Sequence, residues 1–109
     1  MARAFLIKQG STSPSLSYFL EPAALIDLTG ATVTFSMRDS SGMVTIMAAP
    51  VTIVTATGLP EVRYDWLLHD LDVPDVYEAE FAVTYQNGTT EIFPTKGYIS
   101  IMVYDAVVP

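Results

Sequence analysis

Residues 77–85 alternate with a period of two. The odd positions are Tyr77, Ala79, Phe81, Val83 and Tyr85, and the even ones are Glu78, Glu80, Ala82 and Thr84. Successive side chains of a strand point to opposite faces, so this pattern predicts a strand with one apolar and one polar face. A helix would scatter both sets around its circumference. Asn87-Gly88 follows, two residues that tolerate positive φ, which predicts a type I′ hairpin turn and a return strand ending at Phe93-Pro94.

The same period recurs along the chain. Residues 5–9 form a short strand candidate, and Gly10-Ser11-Thr12-Ser13-Pro14 a polar loop. Leu16, Tyr18 and Leu20 mark one face of a second strand, which Glu21-Pro22 stops, because proline has no N–H for the ladder. Residues 23–30 read as a connection with room for a helical turn. Ala31, Val33, Phe35 and Met37 face one way on the next strand, and Thr32, Thr34, Ser36 and Arg38 the other. Asp39-Ser40-Ser41-Gly42 reads as its hairpin loop. Residues 43–49 return antiparallel, Pro50 interrupts, and residues 51–55 continue as a strand displaced toward an edge. Val62, Tyr64, Trp66 and Leu68 share a face across residues 61–68. In the closing strand Ile99, Ile101 and Val103 face inward, with Tyr98, Ser100 and Tyr104 outward. Strands about every 8–12 residues with turn signals between them predict a sandwich or barrel. Phe35, Trp66, Tyr77, Phe81, Ile99 and Ile101 are the expected core.

Composition narrows the function more than the fold. The 109 residues make one domain, 1–109, long enough to bury a core without staples. Hydrophobic residues are 50% of the chain and the mean hydropathy is +0.38, high for so small a protein. Some apolar surface is therefore expected against partners, although two well-filled inner faces would account for the same excess. The net charge of −7 repels phosphate, so nucleic acid is not an expected partner. The absence of cysteine excludes disulfides, thiolate metal sites and cysteine nucleophiles. The apolar start is too short for a membrane span or a signal-peptide core, so neither a membrane nor secretion is expected.

Candidate chemistry is sparse. His69 is the one histidine, so a zinc site would need carboxylates for its remaining ligands, and a serine triad lacks its Gly-x-Ser-x-Gly elbow. His69 is expected in a loop at a strand end. Asp70, Asp72 and Asp75 form an acidic run that could bind calcium, but the spacing lacks the glycine and distal glutamate of a helix-loop-helix site, and aspartates serve turns equally well. Glu78 and Glu80 lie on one face of one strand, whereas a glycosidase needs carboxylates across a cleft. Trp66 shares its face with apolar neighbours, as a core residue does; a sugar-binding module would expose it. Tyr77 after an acidic corner suits a tyrosine corner. The reading is no catalytic residue, no metal and no cofactor.

The order Asp27-Leu28-Thr29-Gly30-Ala31, Val33-Thr34-Phe35-Ser36-Met37, Asp39-Ser40-Ser41-Gly42, Tyr64-x-Trp66, the 70–77 corner, Ala79-Glu80-Phe81, Asn87-Gly88 and Phe93-Pro94 resembles the immunoglobulin-like N-terminal domain of phage baseplate upper proteins and related small virion proteins of tailed phages. The likeness runs from about residue 5 to 103. The corner carries Asp75-Val76 where that family commonly has glycine. The resemblance implies an immunoglobulin-like antiparallel β-sandwich of roughly seven to nine strands. It also implies a non-enzymatic part in a virion, assembled in the bacterial host cytoplasm in multiple symmetric copies, with other virion structural proteins as partners. A carbohydrate- or ligand-binding sandwich is the alternative. The chain ends, residues 2–9 and 104–109, are apolar where free ends are usually polar. Phe5, Leu6, Ile7, Tyr104, Val107 and Val108 are thus the expected interface, unless residues 5–9 simply form the first strand of their own sandwich.

Overall fold

The computed structural model describes residues 3–108. Its strands are β1 Arg3–Lys8, β2 Leu16–Phe19, β3 Thr32–Arg38, β4 Val44–Pro50, β5 Thr52–Thr55, β6 Glu61–Tyr64, β7 Asp75–Thr84, β8 Thr90–Phe93 and β9 Ile99–Tyr104, with one 3-10 turn at Ala23–Leu25. One sheet runs β1-β9-β7-β3-β4, and the other β2-β6-β5. β7 is long enough for two partners on one side: its first half pairs β9 and its second half pairs β8. The strands β2, β6 and β5 occupy the places of B, E and D in an immunoglobulin sandwich, and β9, β7, β3 and β4 those of G, F, C and C′. The fold is an immunoglobulin-like β-sandwich.

One pairing departs from an all-antiparallel expectation. β1 runs parallel to β9, with Leu6 opposite Met102 and Lys8 opposite Tyr104. Parallel neighbours need a long crossover, and here the whole domain supplies it. Residues 5–8 therefore belong to the sandwich's own first strand, and the outer edge of β1 carries no partner among the described residues.

The alternating residues meet between the sheets. Phe35, Phe81 and Ile101 are wholly buried, with Trp66, Tyr77 and Ile99 nearly so. Phe35 stacks on Tyr64 at 4.4 Å between ring centroids and takes Trp66 edge-on at 5.8 Å. Phe81 packs against Phe35 at 5.2 Å and Tyr18 at 5.6 Å. Aromatic contacts thus bridge the two layers, in the offset and edge-to-face arrangements that ring quadrupoles favour.

Three local expectations are corrected. The strand carrying Tyr64 ends at that residue; Trp66 still turns inward, but Leu68 is 73% exposed, and Leu71 takes the core position. Leu68 is thrown out because the chain enters a turn in which His69 has φ +77°. The β7–β8 connection is not a type I′ turn. Gly88 N–H donates to the Tyr85 carbonyl and Tyr85 N–H to that of Thr89, both at 2.8 Å, and only Gly88, at φ +90°, is left-handed in this turn. That is a type I turn closed by a glycine bulge. Asn87 keeps negative φ because its Oδ1 accepts the Thr89 N–H and hydroxyl. Finally, Pro50 is the last residue of β4, after which the chain crosses to the second sheet.

Candidate interaction surface

The corner between β6 and β7 gathers the residues with the most obvious chemistry. Asp70 Oδ2 accepts the Tyr64 hydroxyl at 2.6 Å and the Leu67 N–H at 2.8 Å. His69 Nδ1 lies 2.7 Å from Asp72 Oδ2, both side chains half in solvent or more. Asp75 turns away to the β3–β4 loop, where its Oδ2 accepts the Ser40 hydroxyl at 2.9 Å. That bond, with the Val76 N–H on its other oxygen, holds the Asp75 carboxyl below the ordinary aspartate value. Burial pushes the Tyr64 hydroxyl up, helped by the bond it donates to Asp70. Three aspartates close in sequence thus have three different partners. Among the described residues no group of three His, Cys, Asp or Glu side chains converges. Tyr77 caps the corner as a tyrosine corner does, its hydroxyl donating to the Val73 carbonyl at 2.5 Å.

The outer face of the larger sheet is divided. On its β3 side the Arg38 guanidinium meets Glu78 Oε1 at 2.7 and 2.8 Å and lies 4.7 Å over the Tyr98 ring. Ser36, Glu80 and Val44 complete a shallow depression there. Glu78 is engaged by Arg38, and Glu80 lies on the same face of the same strand rather than across a cleft from it.

On the β1 side the same face carries an apolar row between Lys8 and Ser100. Leu6, Met102 and Val76 stand opposite one another across β1, β9 and β7, forming a row three strands wide. Leu6 is 60% exposed, and Val76 and Tyr104 are about half exposed. No family model matches the sequence, and no curated protein matches it. The surface must therefore be read from its own residues.

Of the six residues expected at an interface, two are in the core or against it. Ile7 is buried, and Phe5 is half-buried with its ring 5.9 Å from Trp66. Leu6 and Tyr104 are on the outer face. Val107 and Val108 are 95% and 82% exposed beyond Ala106, whose N–H donates to Gln9 Oε1. Ala2 and Pro109, the ends of those segments, lie outside the described residues. Sequence reasoning missed Met102 and Val76. Their signal was an apolar residue at an outward position of an alternating strand, visible once β7 and β9 are set side by side.

Proposed function

We propose that this protein is a non-enzymatic structural component of a tailed-phage virion, present in several copies and attached to other virion proteins. The observation that carries the reading is the apolar row Leu6–Met102–Val76 on a sheet face, beside a β1 edge that is unpaired among the described residues. An apolar row beside an uncovered strand edge offers another chain both side-chain contact and a ladder to extend. The residues that could do chemistry at the corner are engaged in holding it, which also favours a structural role. The likeness in residue order to baseplate upper proteins names the setting.

No aromatic platform among the described residues supports the carbohydrate reading. A sugar platform needs coplanar exposed rings, but Trp66 is buried, Tyr98 lies beneath Arg38 just before β9, Tyr104 stands at the far end of that strand, and Phe19 is on a strand of the other sheet.

The test is compositional. Particles of the phage encoding this chain, purified on a density gradient and quantified by mass spectrometry, should contain it at a fixed multiple of the portal protein. Its confinement to the soluble fraction of the lysate would overturn the reading.

A further inference from the structure

We infer that the free edge of β1 pairs antiparallel with β1 of a second copy, across a two-fold axis at Leu6. β4 ends in Pro50, carries Ala48 at φ +50°, and changes register twice against β3. β2 has four residues and lies between Pro14 and Pro22. β5 is four residues long with a register break, and β8 is four residues running into Pro94. Short strands, bulges and proline are the usual protections of an exposed edge. β1 lacks all three: its six residues contain no proline and all six keep register with β9, and its two charged residues, Arg3 and Lys8, stand at its ends.

The residues of β1 also suit pairing with themselves. Ala4, Leu6 and Lys8 point outward, while Phe5 and Ile7 point to the core. With Leu6 opposite Leu6 of the second copy, Ala4 faces Lys8 and Phe5 faces Ile7. No lysine meets a charge, and like residues share a face, as opposed residues of an antiparallel pair must. The neighbouring strand would also cover the part of Phe5 that the monomer leaves open. The two apolar rows join into one, running Val76–Met102–Leu6 and then the same residues of the partner in reverse. A two-fold contact uses the same edge on both copies, so association closes at the dimer. Opposing it is the charge of −7 on each copy, so the dimer should strengthen as salt screens that repulsion. This inference does not depend on the virion reading; either test can fail without the other.

The chain has no cysteine, so single cysteines read the geometry directly. Under mild oxidation Leu6→Cys should form a disulfide-linked dimer, while Ala4→Cys and Lys8→Cys alone should not. An equimolar mixture of those two should cross-link. In sedimentation the unmodified chain should show a concentration-dependent dimer that grows with added salt. Leu6→Lys should remove it with an unchanged melt, since that side chain is mostly in solvent. Mixing Leu6→Lys with Leu6→Glu should restore it. A chain monomeric at every concentration, a Leu6→Cys no faster to cross-link than Ala4→Cys, or a dimer indifferent to Leu6→Lys would each overturn the proposal.

Discussion

Trp66 sits at the junction of both sheets, with Phe5, Phe35 and Tyr64 around its ring, yet its buried Nε1 has no acceptor among the described residues. An unpaired buried donor costs about 1–3 kcal/mol. Trimming indole to phenyl loses buried carbon worth roughly 1–2 kcal/mol. The two effects oppose each other, so Trp66→Phe should change stability by about 1 kcal/mol or less. Phe81 is different: it is wholly buried, has no polar atom to relieve, and touches rings from both sheets. Phe81→Ala should cost about 3–5 kcal/mol, the usual penalty of an aromatic cavity. Urea unfolding of the two variants side by side checks both. A Trp66→Phe loss as large as that of Phe81→Ala would mean that the indole N–H does have a partner.

At the scale of elements, alternation was legible wherever a strand had long partners on both sides. β3, β7 and β9 are such strands, and their inward residues were readable one by one. Alternation failed at the end of β6, because Val62-Tyr64-Trp66-Leu68 keeps its period past the point where the ladder stops. β6 pairs only the four residues of β2 on one side and the short β5 on the other, so nothing holds Leu68 in register. The partner of β1 was not legible either, since its contact with β9 spans nearly the whole chain and no local signal encodes it. The corner was half legible. Tyr77 followed from its position, but the separate destinations of Asp70, Asp72 and Asp75 depend on Ser40, Tyr64 and His69 being brought near by the fold. Those destinations carry a prediction. No three such side chains converge among the described residues, so calcium has no ready set of oxygens to fill. Chelator dialysis should leave the melting temperature where it was. A fall that added calcium reverses would mean the corner rearranges around an ion.

For the molecule as a whole, the balance of charge sets how stability depends on pH. Four carboxyls, Asp27, Asp39, Asp65 and Asp75, are held below the ordinary value of 3.8, in each case chiefly by a serine or threonine hydroxyl: Thr29, Ser41, Ser15 and Ser40 respectively. A group whose folded value is depressed contributes stability that is present above its unfolded value and lost as pH falls through the folded one. Tyr64, Tyr77 and Tyr85 are shifted the other way, first by burial, with Tyr85 pushed up to about 12. Raised groups contribute fully below their unfolded value of 10.0 and lose that contribution as pH rises through the folded values. Between about pH 5 and pH 9 none of the seven changes charge in either state, so they predict a plateau there. Acid also removes the net −7, and relief of that repulsion acts to stabilise down to the isoelectric point near pH 4.2, below which the chain turns net positive and repulsion returns. At physiological salt, charges more than about 8 Å apart are largely screened, whereas the hydroxyl bonds act at contact. The local bonds should therefore win, and the melting temperature in 0.15 M salt should fall below about pH 4 and again above about pH 10. Removing two of the donors, in Ser15→Ala with Ser40→Ala, should flatten the acid limb and leave the alkaline limb alone. Calorimetry across the pH range reads both limbs, and a melting temperature no lower at about pH 2 than at about pH 5 would show that the four local bonds do not set the acid limb.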